Sequence, residues 1–271
     1  MNPKYIALRL IRHLPPASLT HFLLRHNWII QAGSETNTPQ LAIERYQQAL
    51  TQVGQTLGGK RVMVFGYGDN FAVGCGLLRT GVTHVVLCDK YARPDNRRNQ
   101  QLLPEYGDYL VESNGHVLPR PEVISVFIAD IRQLAIRGGP PPVDMVLSTH
   151  VYEHLDDVDG ITQALAALTS PGGLHLHFID LRDHFFKYPF EMLTFSERAW
   201  RDWLNPGSNL NRCRLHDYRQ IFQKYFKAVN ITMLERDQSS LELIRHRIRP
   251  EFLTGDIESD AATQIQVMAY V

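Results

Sequence analysis

The sequence predicts an α/β fold: a doubly wound, mostly parallel sheet of seven strands behind an N-terminal helical extension. Three observations carry that expectation. Residues 62–65 are an uninterrupted apolar run that passes straight into Gly66-Tyr67-Gly68 and then into a helical pattern from Asn70. Such a run suits a parallel strand buried on both faces. Four more apolar runs follow, separated by helices or helix-sized crossovers, which is how parallel neighbours are joined. The tail then changes character and adds two strand patterns, 229–234 and 264–270, among helices.

Composition bounds the function. Hydrophobic residues are 44% and charged residues 21% of the 271, as in a globular chain with a sizeable core. Lys+Arg and Asp+Glu both number 28, so no global charge calls for a nucleic-acid partner. Cys75, Cys88 and Cys213 are scattered, and two lie in apolar contexts, so they read as buried thiols of a reducing compartment. No apolar run approaches the roughly 20 residues of a membrane-spanning helix. With no signal-peptide pattern at the start, a cytoplasmic location is the expectation.

Residues 1–34 carry Lys4, Arg9, Arg12 and Arg25, with no acid before Glu35. Ile6, Leu10 and Leu14 share a helical face that Pro15-Pro16 ends. Ser18 heads a second short helix with Leu19, Phe22, Leu23 and Trp28-Ile29-Ile30. This basic amphipathic segment has three readings: packing on the domain, a lid over the substrate pocket, or peripheral contact with an anionic membrane. A third helix starts at Thr38-Pro39, carries the stripe Ala42, Tyr46, Ala49, Val53 and Leu57, and stops at Gly58-Gly59. The extension thus covers residues 1–58 and the sheet domain 59–271.

After the glycine turn, residues 71–79 read as a helix closed by Gly81. Gly74 and Gly76 sit inside it at a cost of roughly 1 kcal/mol each relative to alanine, which close packing on the sheet would offset. The second strand, 84–88, stops at Asp89. An acid there, about 20 residues after the glycines, sits where dinucleotide folds bind ribose hydroxyls. Residues 90–121 look irregular, with at most one helix near 96–103. The third strand, 123–129, ends at Asp130, and Gly138 to Pro142 make a loop. The fourth, 143–148, leads into Thr149-His150-Val151-Tyr152-Glu153-His154. A helix striped by Val158, Ile161, Leu165 and Leu168 is closed by Pro171-Gly172-Gly173 before the fifth strand, 174–179. Helices near 196–204, 216–224 and 240–249 complete the tail.

In this order the motifs resemble the class I S-adenosylmethionine-dependent methyltransferases, over roughly residues 60–271. The likeness rests on Val62 to Asn70 as that family's glycine-rich first motif, on Asp89, on Asp130-Ile131, and on Asp144 to His154 with Pro171-Gly172-Gly173. The last combination looks like the Glu-His branch, which contains many small-molecule and lipid enzymes. The resemblance implies a Rossmann-like sheet whose last strand is antiparallel. It also implies S-adenosyl-L-methionine as cofactor and in-line methyl transfer to a small or lipid-like acceptor. Gly66, Tyr67, Gly68 and Asn70 would border the methionine portion. Asp89 would bind the ribose hydroxyls, with Lys90 beside the adenine. Asp130 would accept from the adenine amine while Ile131 packs on the ring, and Thr149 and His150 would lie near the sulfonium. Read from the residues alone, Asp89 also suits a plain turn acid and Asp130 the N-cap of the next helix. The chain departs from the family at Val64, where an acid is usual, and at Asn70, often a third glycine. Asparagine is the residue that best replaces glycine in left-handed backbone.

An in-line displacement needs the acceptor held behind the methyl group, and a base only if the acceptor must lose a proton. His154 is the first candidate because imidazole titrates near neutral pH, although a purely structural histidine at a helix start fits as well. His184 is the second, with Asp180 or Asp183 to orient it. His175-Leu176-His177 with Asp180 and His184 invites a metal reading, but a site needs three or four converging ligands and one strand supplies only two at that spacing, so no metal site is expected. Residues 182–218 are the expected acceptor insert, rich in aromatics such as Phe185, Phe186, Phe190, Phe195, Trp200 and Tyr218. Those rings equally suit packing of the insert's own helices. Arg201, Arg212 and Arg214 read as surface charge, or as a hold on an acceptor's carboxylate or phosphate. Two other functions share the first motifs: a non-catalytic cofactor-binding scaffold and a nicotinamide-dependent oxidoreductase. Phe71 in the third-glycine position of G-x-G-x-x-G and the two-strand tail disfavour the oxidoreductase.

Overall fold

A computed structural model describes residues 3–11, 39–184, 187–205 and 210–271. Its main sheet contains β1 (Arg61–Phe65), β2 (His84–Asp89), β5 (Ile124–Ile128), β6 (Val143–Thr149), β7 (Thr169–Asp180), β8 (Ala228–Arg236) and β9 (Ala262–Tyr270). A separate hairpin supplies β3 (Leu110–Ser113) and β4 (His116–Pro119). The seven strands lie in the order β5-β2-β1-β6-β7-β9-β8. The first five of these are parallel, and β9 runs antiparallel between β7 and β8. The expected fold class therefore holds, with the last strand antiparallel.

Alternation along β1 explains its unbroken apolar run. Val62 and Val64 enter one core layer, under the helices Pro39–Thr51 and Ala72–Arg79. Met63 and Phe65 enter the other, under the helices Val158–Ala167 and Leu215–Tyr225. A strand covered on both sides needs apolar residues at every position. The two helix glycines divide their work: a Cβ on Gly74 would sit 3.2 Å from Leu87 of β2, whereas one on Gly76 would overlap Ile43. Gly74 thus lets the helix approach the sheet, and Gly76 lets it approach the preceding helix.

Residues 90–121 are more ordered than their composition predicts. Helices Asn96–Gln100 and Leu103–Tyr106 precede the β3–β4 hairpin, whose turn is Asn114-Gly115 with φ of 51° and 73°. Asn-Gly is the strongest short hairpin signal, because both positions tolerate left-handed backbone. Its polar flanks hid it. Another difference is that β7 starts at Thr169. Pro171-Gly172-Gly173 is a bulge inside it, where the pairing to β6 jumps from Val143↔Thr169 to Met145↔Leu174. The helix expected near 196–204 is short, Glu197–Ala199, and continues as the π-helical Trp200–Leu204.

The described part of the extension is docked on the insert. Tyr5 and Arg9, on helix Pro3–Ile11, are 0% and 1% exposed, and both donate to the buried carboxylate of Asp183. The Arg9 guanidinium also sits 4.6 Å from the Trp200 ring centroid. The expected second helix, Thr38, Phe185 and Phe186 lie outside the described residues. Among the described residues, no helix is long and apolar enough to cross a membrane.

His175 and His177 belong to the core. Thr169 Oγ1 lies 2.8 Å from His175 Nε2, His175 Nδ1 lies 3.3 Å from His177 Nε2, and His177 Nδ1 lies 2.8 Å from Ser148 Oγ. Thr169 also donates to Leu165 O at 2.8 Å. Burial pushes His175 down to about 3 and His177 well below its ordinary value. Both rings are neutral.

Candidate active site

The sheet reverses its winding between β1 and β6, and a crevice opens there at the C-terminal strand ends. Two cavities meet in it at Phe65-Gly66. One, of about 250 Å³, is bordered by Asp89, Lys90, Asp130, Ile131 and His150. The other, of about 90 Å³, is bordered by Tyr67, Gly68, Asn70 and Thr149 on one side and by Ala42 and Tyr46 on the other. All ten residues singled out for cofactor binding therefore line one continuous groove.

The glycine turn is sterically obligatory. Gly66 has φ +76°, and a Cβ there would overlap Val151. Gly68 has φ 77°. Asn70, by contrast, is absent from the positive-φ positions, so it does not take over a glycine's backbone role. Its Oδ1 accepts from Ala72 N at 3.0 Å, opening the following helix. Val64 is a core residue, 4% exposed. The hydroxyl of Tyr67 is buried and has no hydrogen-bond partner among the described residues. Burial, with the carboxylate of Asp89 next, pushes it up to about 12, so it is a neutral donor.

Asp89 anchors the second strand's end through its own loop. Its Oδ1 accepts from the amides of Tyr91 and Ala92, both at 2.8 Å, and its Oδ2 from Gly68 N at 3.4 Å. That Oδ2 retains acceptor capacity toward the groove. Asp130 is the N-cap of helix Ile131–Ile136, accepting from Arg132 N at 3.0 Å. Arg132 also grips it through Nε at 3.0 Å and Nη2 at 2.6 Å, and Lys90 Nζ lies 3.2 Å away. The Arg132 side chain, above all, holds this carboxyl well below the usual range. Thr149 borders the small cavity and His150 the larger one. His150 adopts φ 54° and donates its amide to Phe178 O at 2.9 Å. A non-glycine residue in left-handed backbone is uncommon and costs of order 1–3 kcal/mol, and such residues cluster at functional turns.

Sequence reasoning missed Tyr46 and Ala42. Tyr46 Oη and Thr149 Oγ1 are 2.8 Å apart, which makes helix Pro39–Thr51 a wall of the groove. The available signal was a tyrosine in an otherwise aliphatic stripe: a buried hydroxyl needs a partner.

A third cavity, of about 680 Å³, adjoins the groove and shares Tyr91, His154, Leu155 and Asp156 with the 250 Å³ cavity. Its far wall comes from the insert, through Trp200, Arg201 and Asn205. Most insert aromatics instead pack inward. Phe190, Phe195 and Trp200 form a core with Tyr5, and Tyr218 joins the main core. The arginines need correction. Arg214 is 1% exposed and donates to the carbonyls of Leu181, Asp260 and Ala262. Arg212 donates to those of Met192 and Phe195 and pairs with Glu197. Both brace the interior rather than carry surface charge, because an arginine fork can satisfy several carbonyls at once, and Arg212 also borders the 680 Å³ cavity.

The two candidate bases come together. The rings of His154 and His184 have centroids 4.9 Å apart at 67°. Glu153 joins them, with the three potential ligand atoms all within 4.8 Å of one another. Asp180 is engaged by Arg182 Nε at 2.9 Å and Nη2 at 2.7 Å, and Asp183 by Tyr5 and Arg9. The turn Tyr152–His154 is fastened by Asn211, whose amide donates to Glu153 O at 2.8 Å and whose Nδ2 donates to Tyr152 O at 2.7 Å.

No family model matches the chain, and neither does any curated protein. Solved structures do. A magnesium protoporphyrin IX methyltransferase from Synechocystis PCC 6803, with bound SAH, is 14% identical with a TM-score of 0.51, covering 96% of this chain and 97% of that one. A phosphoethanolamine N-methyltransferase from Haemonchus contortus was solved with phosphomonomethylethanolamine and S-adenosylhomocysteine. It is 14% identical with a TM-score of 0.51, covering 92% of this chain and 59% of that one. The chain shares its fold with these methyltransferases. At such identity the likeness fixes the fold, and the function must be argued from the groove.

Proposed function

We propose that this chain is an S-adenosyl-L-methionine-dependent methyltransferase acting on a small or lipid-like acceptor. The order of groups along the two joined cavities carries the reading. A buried phenol with no partner and a glycine turn lie at the narrow end. The Asp89 carboxylate stands at the middle, and Asp130-Ile131 at the wide end. These residues fit the cofactor's parts. Tyr67 can donate to its carboxylate, and Asp89 Oδ2 can accept from its ribose hydroxyls. Ile131 offers an apolar face for the adenine ring. Asp130 would accept from the adenine amine in place of Lys90, while Arg132 keeps it ionised.

When bound, S-adenosyl-L-methionine supplies an electrophilic methyl group. The chain's own residues do the rest. Gly66 and Gly68 leave room for close backbone approach, and Thr149 and His150 flank the place where the cavities meet. His154 stands on the wall common to the groove and the 680 Å³ cleft, where it can orient an acceptor and take its proton. His184 sits beside it. Residues 39–51 close the methionine end.

Calorimetric titration with S-adenosyl-L-methionine and with nicotinamide nucleotides tests the reading. Binding of the first but not the second is expected, followed by S-adenosylhomocysteine release with some member of an acceptor panel. Absence of S-adenosyl-L-methionine binding sinks the proposal. Binding with no turnover across oxygen, nitrogen and lipid acceptors favours the scaffold reading, to which Val64 in place of the usual acid points.

A further inference from the structure

We infer that Glu153, His154 and His184 form a divalent-cation site at the junction of the groove and the acceptor cleft, and that its ligand is an acceptor oxygen. The use of the cation in methyl transfer rests on the proposal above; its binding does not. Three ligand atoms of two different kinds lie mutually within 4.8 Å. Ligands around one transition-metal ion stand roughly 3–3.6 Å apart at bond lengths near 2.1 Å, so small rotamer adjustments close the set. Strand β7 by itself supplies too few ligands, His175 and His177. The fold instead draws them from two segments, the turn after β6 and the stretch after β7.

Both segments are fixed by distant elements, as metal ligands generally are. Asn211 fastens the Glu153-His154 turn through three hydrogen bonds to its backbone, and its Oδ1 in turn accepts from Tyr218 at 3.3 Å. Next to His184, Asp183 is 0% exposed, donates its amide to Pro189 O at 3.0 Å, and receives Tyr5 and Arg9 on its carboxylate. Glu153 is itself only 2% exposed, and a neighbouring cation offsets the desolvation of a buried carboxylate.

Two imidazoles and one carboxylate select Zn²⁺, Co²⁺, Mn²⁺ or Fe²⁺ over the all-oxygen preferences of Ca²⁺ and Mg²⁺. Three protein ligands leave coordination positions open. His154 borders both cavities, so an open position faces the cleft where an acceptor enters. A cation there acts as a Lewis acid in place of His154 as base: with that imidazole a ligand, the cation binds a hydroxyl oxygen and lowers that hydroxyl's pKa, and the proton departs to water. The acceptor class it selects is an alcohol, phenol or vicinal diol, methylated on oxygen.

The test uses the whole chain, stripped with a chelator and titrated with Co²⁺ under visible absorption, then with Zn²⁺ by calorimetry. One equivalent of Co²⁺ should bind with d–d bands of a nitrogen–oxygen site, and NMR should show paramagnetically shifted protons from two imidazoles. Glu153→Gln and His184→Asn should each weaken Co²⁺ binding by tenfold or more, with melting temperature and S-adenosyl-L-methionine affinity retained. No bands and no heat with the unaltered chain at millimolar Co²⁺ overturns the site. Shifted signals from other than two imidazoles, or variants that bind as the parent does, overturn it equally. The spectrum of the unaltered chain decides even if a variant fails to fold. Co²⁺ binding without S-adenosyl-L-methionine binding would remove the methyltransferase reading and leave the site. The converse would remove only the site.

Discussion

The hydroxyl of Tyr46 lies 2.8 Å from that of Thr149, so a helix that precedes the whole sheet completes the groove at its far side. Tyr46→Phe removes that bond and should weaken S-adenosyl-L-methionine binding about fivefold, near the ~1 kcal/mol of a neutral hydrogen bond. Thr149→Val should do the same. Because the two changes break one interaction, the double variant should cost no more than about the larger single effect, which a calorimetric double-mutant cycle reads directly.

Asp89 serves both its loop and the groove. Asp89→Asn keeps the shape but replaces a charged acceptor, toward the Tyr91 and Ala92 amides and toward any ribose hydroxyl. Charge-assisted bonds are worth about twice neutral ones. Affinity for S-adenosyl-L-methionine should fall by tenfold or more, while methionine analogues lacking the ribose lose little. Equal losses for both would remove Asp89 from the ribose role.

Gly66→Ala meets two penalties: strained backbone at φ +76° and overlap with Val151. Strain of this kind costs of order 1–3 kcal/mol. Urea unfolding should show that loss together with abolished binding. Adding Val151→Ala should relieve the overlap and restore part of the stability, but not the part owed to φ.

The two core histidines make acid unfolding predictable. Each has its pKa lowered on folding, so between the folded value and about 6.5 the unfolded chain binds more protons. Their contribution is intact above pH ~6.5 and falls as the pH drops, reaching about 2 kcal/mol lost at pH 5 for His175 alone. Urea midpoints measured from pH 8 to 5 should decline accordingly. Replacing both rings by asparagine should flatten that decline, even if it lowers stability at pH 8.

Asp183 ties the start of the chain to the insert. Asp183→Asn leaves Arg9 buried without its charge partner, a change that costs roughly 3–5 kcal/mol when such pairs are broken. Helix Pro3–Ile11 should release first, so limited trypsin digestion should cut near Arg9 well before the sheet unfolds.

The sheet was legible because a strand covered on both faces is mostly apolar, and the few polar side chains it buries, such as His175 and His177, are paired inside the core. Residues 62–65, 84–88 and 143–148 declare themselves without alignment. The crevice followed from chain logic, since Gly66, Asp89 and Asp130 each end a parallel strand. Illegible parts depend on contacts remote in sequence. Nothing local in Arg214 says that it braces three carbonyls, and nothing in Tyr46 names Thr149. Glu153 and His154 were visible as a pair, but their meeting with His184 is made by the pairing of β6 and β7. The hairpin at Asn114-Gly115 went unread despite its turn signal, because its flanking strands are largely polar.

The Thr169–His175–His177–Ser148 row has one more property. Thr169 has a single proton, committed to Leu165 O, so it must accept from His175 Nε2. His175 Nδ1 is then bare and accepts from His177 Nε2, and His177 Nδ1 accepts from Ser148. Every bond points the same way, from the crevice end of the sheet to its base. The dipoles add, with the oxygen end uppermost, next to Thr149. The core layer under helix Leu215–Tyr225 is therefore electrically polar without carrying a charge, its negative end toward the C-terminal ends of the strands.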